Sequence, residues 1–328
     1  MQHLKAAAAI ALALHTACTG VVAQTSPSQT YPSQPIKLIV PYAAGGVTDL
    51  LGRLAAEHIK ARTGQPAIVE NRAGAGGNTG LAAVAAAAPD GTTLGLAAVT
   101  NLTVNPFIYK SMPFDPLRDL VAVAPIAEGP QILVVPASLP VTSLATFIAW
   151  AKSNPDKMNY GSAGTGSPNH LSTEAFLRSA GIKAAHLPYR GAAPAVNDLL
   201  TGSLQMMVIA PAPLAGHVAA GTLRALAAVA AKRLAAFPEV ATVAEQGLPA
   251  YEMSNWYGLV APAATPKPIV DTLNALIVAM ADEPAIARQF AVLFMVPMRV
   301  SAADFAQLIR TDAPKWEKIV KDVGITPE

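Results

Sequence analysis

Downstream of residue 30 the chain alternates between short apolar runs and longer amphipathic ones. Ile36–Val40 reads as a strand stopped by Pro41. From Thr48 to Arg62 apolar positions recur at helical spacing, with Leu50, Leu51, Leu54, His58 and Ile59 on one side. Gly64 ends that helix, as a glycine past the last turn commonly does. Ala67–Val69 is the next strand, Thr79–Ala88 the next helix, closed by Pro89-Asp90-Gly91, and Thr93–Ala98 a further strand. The same grammar restarts with strand Gln131–Val135, helix Ser143–Ser153, strand Met158–Tyr160, helix Asn169–Ala180 and strand Ala185–Tyr189. Helix Ala192–Leu200, strand Leu204–Ile209, helix Pro213–Ala220 and strands Leu223–Ala230 and Tyr257–Val260 follow. The tail is helical over Pro268–Ala281, Pro284–Leu293 and Ala302–Val323, and Ser301 with Asp304 opens the last of these at capping-box spacing. Repeated strand–helix–strand units predict an α/β fold with a parallel or mixed sheet and helices on both faces. Two such blocks with no disordered linker predict two lobes. Ligands of open α/β sheets bind beyond the carboxyl ends of the strands, so a cleft between the lobes is the expected binding place.

Three glycine-rich loops sit where a strand gives way to a helix: Pro41–Asp49, Asn71–Asn78 and Gly161–His170. Helix N-termini leave N–H groups unpaired and carry partial positive charge, so an anion can dock there without a lysine or arginine. Loops from opposite halves of the chain suggest a cleft that grips a carboxylate or phosphate. Blocking the approach to the backbone at Gly46 or Gly166 should then abolish binding. Tyr189-Arg190-Gly191 adds a guanidinium at a strand end, able to clamp a carboxylate or simply exposed on a lobe surface. Trp256-Tyr257, after Asn255, either lines a pocket or belongs to the core.

Several familiar chemistries fail on residue type or spacing. Gly74-Ala75-Gly76-Gly77-Asn78-Thr79 has Thr79 where a dinucleotide loop needs its third glycine, and no acid closes the next strand. No Gly-Lys-Ser/Thr follows any loop, so there is no Walker motif. Ser162, Ser167 and His170 are not part of a Gly-x-Ser-x-Gly elbow, and Ser167 three residues before His170 reads as a helix cap. His58, His170, His186 and His217 lack metal-binding spacing. No metal or cofactor is expected.

Composition narrows the reading. Of 328 residues 52% are hydrophobic and 13% charged, ample for a buried core and long enough for two domains. The net charge of +2, with no basic run, makes nucleic acid a poor partner. The start has the build of a signal peptide: Lys5, a short apolar stretch Ala6–Leu14, and small residues at Val21-Val22-Ala23. Residues 1–23 are therefore expected to be removed, with 24–30 a flexible leader. Cys18, the chain's one cysteine, lies in the removed segment, which leaves no disulfide framework or thiol nucleophile. A competing reading acylates Cys18 as a lipoprotein, although His15 stands where a lipobox wants leucine. No later segment offers ~18 uninterrupted apolar residues for a membrane span.

The ordered motifs resemble the Bug family, the periplasmic solute receptors of tripartite tricarboxylate transporters. They include Tyr31-Pro32, Pro35–Pro41, Gly45–Asp49, Val69–Asn78, Ala88–Gly91, Asn105-Pro106, Tyr160–Gly164 with Ser167 and His170, Pro188–Gly191, Leu223–Leu226 and Thr242–Gly247. The resemblance implies a two-lobed periplasmic-binding-protein fold, type II-like, closing on a small organic anion. It implies that Tyr42, Ala44, Gly45, Gly46 and Thr48 in the first loop hold a ligand carboxylate, partly through water. Ser162, Gly164, Thr165, Gly166, Ser167 and His170 do so in the second, and Tyr189, Arg190 and Ile209 complete the candidate site. Delivery to integral membrane permease subunits follows from the same resemblance. Two departures stand out. Ala44 replaces a frequent proline, and Val208-Ile209-Ala210-Pro211 is apolar where many relatives carry an aspartate–asparagine pair.

The sequence thus predicts an exported, monomeric, non-enzymatic receptor for a small carboxylate. Lobe one is expected at 31–127 plus 229–328 and lobe two at 128–228. The rivals are a sensor subunit presenting its solute to a signalling partner, and a carboxylate-ester hydrolase using Ser167 and His170. Burying an ammonium group without a carboxylate partner is costly, and Ile209 and Ala210 offer none. The expected ligand is an acid without an ammonium group, either a dicarboxylate or one with an apolar or aromatic body. Asp49 would upset that expectation if it reached the pocket instead of capping its own helix.

Overall fold

The structure is a computed structural model that describes residues 31–189, 192–230, 232–248 and 255–325. The proposed signal peptide and leader lie outside these residues.

The first half runs β1 (Ile36–Val40), α1 (Val47–Thr63), β2 (Ala67–Asn71), α2 (Asn78–Ala85), β3 (Thr93–Ala98), α3 (Val99–Thr103), α4 (Asn105–Ile108) and β4 (Leu120–Gly129). Then come β5 (Gln131–Pro136), α5 (Leu144–Ser153), β6 (Asn159–Ser162), α6 (Pro168–Ala180), β7 (Ala185–Pro188), α7 (Ala192–Thr201), β8 (Met207–Ile209), α8 (Ala215–Ala219) and β9 (Leu223–Val229). The chain closes with β10 (Asn255–Pro262), α9 (Lys267–Val278), α10 (Pro284–Val292), β11 (Val296–Pro297) and α11 (Ala302–Val323).

The strands sort into two lobes. A six-stranded sheet has the order β11-β4-β10-β3-β1-β2. It is mixed: β1 pairs parallel with β2 and β3, whereas β10 runs antiparallel to β3 and β4. The second lobe holds the antiparallel sheet β8-β5-β9 and the parallel pair β6-β7. A parallel bridge between Tyr160 and Met206 joins these two groups. The chain passes between lobes at β4/β5, where Gly129 and Gln131 are separated by Pro130, and again between β9 and β10.

Local chemistry explains most boundaries. Helix α1 lies close on the first sheet because Gly52 has no side chain: a Cβ there would stand 2.7 Å from Val40 Cγ2. Its buried face is Leu51, Ala55, His58 and Ile59, while Leu50, expected on that face, is exposed. Ser143, Ser167 and Ser301 cap α5, α6 and α11, each accepting from a backbone N–H three residues on. Strand β6 sits further along than the expected Met158–Tyr160, reaching Ser162.

The expectation had no element at β4, the second sheet neighbour of β10. Pro125 interrupts its apolar run, and a proline speaks against a central strand. The fold accommodates it with a bulge: Tyr257 pairs with Ala127 and Gly258 with Pro125, skipping Ile126. Helix α11 packs behind this region through Phe305, set edge-on to Trp256 with centroids 5.2 Å apart, and Trp256 Nε1 donates to buried Asp312 at 2.8 Å. No described helix is long and apolar enough to cross a membrane.

Candidate functional site

A cavity of about 490 Å³ opens between the two lobes. Its first-lobe wall comes from Tyr42, Val47 and Thr48 at the start of α1, from Ala98 and Thr100, and from Asn105, Ile108 and Tyr109 around α4. The second-lobe wall comes from Ala163, Thr165, Gly166 and Ser167 before α6, with Pro168 and Asn169 in its first turn. Ile209, Ala210 and Pro213 close that side, and Gln131, Asn255 and Tyr257 line the cavity where the strands cross between lobes. Strand alternation separates the two aromatics left open by the sequence: Trp256 is fully buried in the core and Tyr257 faces the cavity. None of the described lining residues is aspartate, glutamate, lysine, arginine or histidine.

Of the expected site residues, the cavity gathers Tyr42, Thr48, Thr165, Gly166, Ser167 and Ile209. Ala44, Gly45 and Gly46 are exposed and do not line it, and a Cβ on Gly46 would meet no atom within 4 Å. Gly46 also has the ordinary extended φ of −81°, so nothing local demands glycine there. The structure therefore gives no support to the idea that any side chain at Gly46 blocks binding. Ser162, Gly164, His170 and Tyr189 do not line it. Arg190 lies outside the described residues.

The two loops are held differently. In the first, Asp49 is buried and serves the loop itself. Its Oδ2 accepts from Gly45 N and from Arg53 Nε, both at 2.9 Å, and its Oδ1 accepts from Asn71 Nδ2 at 3.0 Å. Burial alone would push the Asp49 carboxyl up, but Arg53, the Gly45 N–H and Asn71 together hold it below the usual range. Asp49 does not line the cavity. The N–H groups of Val47 and Thr48 occupy the first turn of α1, where no intrahelical acceptor exists.

The second loop spends most of its donors internally. Ser167 N donates to Gly164 O at 3.1 Å, Gly166 N donates to His170 Nδ1 at 3.1 Å, and His170 N donates to Ser167 Oγ at 3.3 Å. Pro168 has no N–H to offer, so α6 has fewer free donors for an anion than α1. The hydrogen bonds thus make the two helix starts unequal as anion sites.

Behind this loop three rings stack. His170 lies on His186 with centroids 3.9 Å apart, and Tyr160 stacks on the other ring neighbour, His186, at 4.9 Å. Burial, and secondarily His186, pulls His170 down to about 4, and burial lowers His186 as well. Both rings are thus neutral at pH 7, as an acceptor role for His170 Nδ1 requires. His186 Nε2 lies 2.7 Å from Ser162 Oγ, which accepts from Gly164 N and donates to Gly164 O, each at 3.1 Å. This serine–histidine pair escaped the sequence reading because 24 residues separate its members. Ser162 is fully buried and off the cavity wall, so the pair organises the loop. Tyr189 donates to Asp198 Oδ2 at 2.6 Å; burial and then Asp198 push its phenol up to about 12. Among the described residues no group of three or more His, Cys, Asp or Glu side chains could hold a metal ion.

The sequence profile described as tripartite tricarboxylate transporter family receptor matches residues 51–325. The chain belongs to this receptor family. It is 34% identical to protein BugT of Bordetella pertussis, over 95% of this chain and 96% of that one. Among solved structures it resembles Rhodopseudomonas palustris Rpa4515 with adipate, at TM-score 0.81 and 34% identity, over 91% of this chain and all of the other. It also resembles MatC of the same organism with bound malate, at TM-score 0.76 and 30% identity, over 88% of this chain and all of that one. The two-lobed receptor fold expected from the sequence is the fold of these proteins.

Proposed function

We propose that the protein is a periplasmic receptor that closes on a small organic carboxylate and delivers it to membrane permease subunits without catalysing a reaction. The observation that carries this is the interlobe cavity, free of ionised side chains among its described lining residues, with the first turn of α1 opening onto it. Such a site can take an anion through backbone N–H groups and hydroxyls. Relatives with adipate and with bound malate, at 34% and 30% identity, support a carboxylate as that anion. The carboxylate rests on Val47, Thr48 and Thr165, and the apolar body lies against Ile108, Ile209 and Ala210.

The lobes are proposed at 31–127 with 229–328, and at 128–228. Export follows from a leader cleaved near Ala23, and the receptor works as a monomer. The buried Ser162 and the capping role of Ser167 both speak against an ester hydrolase. A thermal-shift screen of organic acids tests the proposal, because a ligand bound only by the native state raises the melting temperature. Carboxylates should stabilise the protein, and sugars or amines should not.

A further inference from the structure

Two amide oxygens at the crossover between the lobes are left without partners. Gln131 opens β5 and is 2% exposed, and its Oε1 has no hydrogen-bond partner among the described residues. Asn255 opens β10, directly opposite Gly129 at the end of β4, and its Oδ1 is buried and likewise unpartnered. Both residues line the interlobe cavity, beside the Tyr257 hydroxyl, which accepts from Asn255 Nδ2 at 3.3 Å. Buried carbonyl oxygens are rarely left unpaired, because losing water without gaining a donor is costly. Their residues line the cavity while the two oxygens are closed off from solvent, which points to a donor that reaches them when a ligand fills the cavity and the lobes close on it.

We propose that Gln131 and Asn255 read a hydroxyl group on the ligand, so that the receptor selects hydroxylated carboxylates over the same acids lacking that hydroxyl. This rests on the carboxylate-receptor reading above and adds the group at the ligand's far end. The chemistry of the wall separates the candidates. A hydroxyl donates once and also accepts, so with Asn255 held by its bond to Tyr257 it donates to Asn255 Oδ1 and accepts from Gln131 Nε2 with that amide's plane turned. An ionised second carboxylate only accepts, so it leaves Asn255 Oδ1 without a donor, and no described cation in the wall balances its charge. An ammonium group could donate, but it would sit among described lining residues that include no carboxylate. A plain aliphatic or aromatic acid would leave both oxygens unpaired. Sites built to bond a substrate hydroxyl discriminate strongly against the analogue lacking it, because their own polar groups are then stranded.

The test is calorimetry on the wild-type protein with matched pairs of acids: 4-hydroxybenzoate with benzoate, 6-hydroxyhexanoate with hexanoate, and malate with succinate. At least one hydroxylated member should bind tenfold or more tighter than its partner. That preference should collapse to within about twofold in Gln131→Met and Asn255→Leu, which keep side-chain size and remove the polar atoms. Melting temperatures of the two variants establish that they fold, and the wild-type comparison stands without them. If acids bind but no pair shows a hydroxyl preference, or the preference survives both substitutions, this inference is overturned and the receptor reading stands. If no acid of any kind binds, both fall.

Discussion

Gly166 and Ile108 meet across the cleft. A Cβ on Gly166 would lie 2.5 Å from Ile108 Cδ1, and Gly166 has a φ of +74°. An alanine there costs about 1–2 kcal/mol for the left-handed backbone, and it must also turn aside Ile108 Cδ1, the tip of a flexible side chain on the facing wall. Gly166→Ala is therefore expected to weaken carboxylate binding at least tenfold in calorimetry. Adding Ile108→Ala should recover part of the loss. Gly46→Ala, at an open position with ordinary φ, should stay within about twofold of wild type. Equal affinities for Gly166→Ala and wild type would remove this contact from the binding site.

The stacked histidines make stability depend on pH. In the unfolded chain a histidine titrates near 6.5, whereas folded His170 sits at about 4. Between those values the unfolded state binds the extra proton, so stability is highest above pH 6.5 and falls as the pH is lowered toward 4. The slope reaches roughly 1.4 kcal/mol per pH unit for one such group, and His186, shifted the same way, adds to it. Urea titrations at pH 7, 6 and 5 should show a steady decline. A flat profile across that window would mean that the rings do not stay neutral in the native state.

Asp49 anchors the first binding loop through Gly45, Arg53 and Asn71. Removing it takes the carboxylate partner from the Gly45 N–H and from Arg53, and leaves half-buried Asn71 Nδ2 with Tyr42 O alone. Asp49→Ala is expected to cost about 1–2 kcal/mol of stability and to weaken ligand binding as the loop loosens. Equilibrium urea unfolding gives the first quantity and calorimetry the second. Full stability in the variant would show that the loop holds its shape without this carboxylate.

The cavity is walled by both lobes, so a ligand touching both favours the closed arrangement and shifts the population toward it. Small-angle scattering should record a smaller radius of gyration once a true ligand saturates the protein. Identical curves with and without bound ligand would contradict closure.

The parts legible in the sequence were those governed by local periodicity. The run Ile36–Val40, the helix expected from Thr48 and found from Val47, and the caps at Ser167 and Ser301 depend on neighbours a few residues away. Strand β4 was not legible, because Pro125 breaks its pattern and only the pairing with β10 shows how a bulge absorbs it. The same limit applied at the cavity. Glycine loops marked two of its edges and the helix-start position of Asp49 pointed to a local role, but nothing local indicates that Ser162 binds His186 or that His170 takes the Gly166 N–H. Gln131 and Asn255 went unnoticed for a different reason. Each is one polar residue at the start of an apolar strand, and only burial without a partner sets it apart.

The most direct test of the central claim is calorimetry of the purified protein against a panel of small acids that includes aspartate and glutamate beside succinate, malate and aromatic acids. A receptor whose described cavity wall offers helix N–H groups and no carboxylate should bind one ammonium-free carboxylate with one-to-one stoichiometry, and bind it more tightly than either amino acid. Tighter binding of aspartate or glutamate than of every ammonium-free acid, or no binding by any acid, would contradict the account.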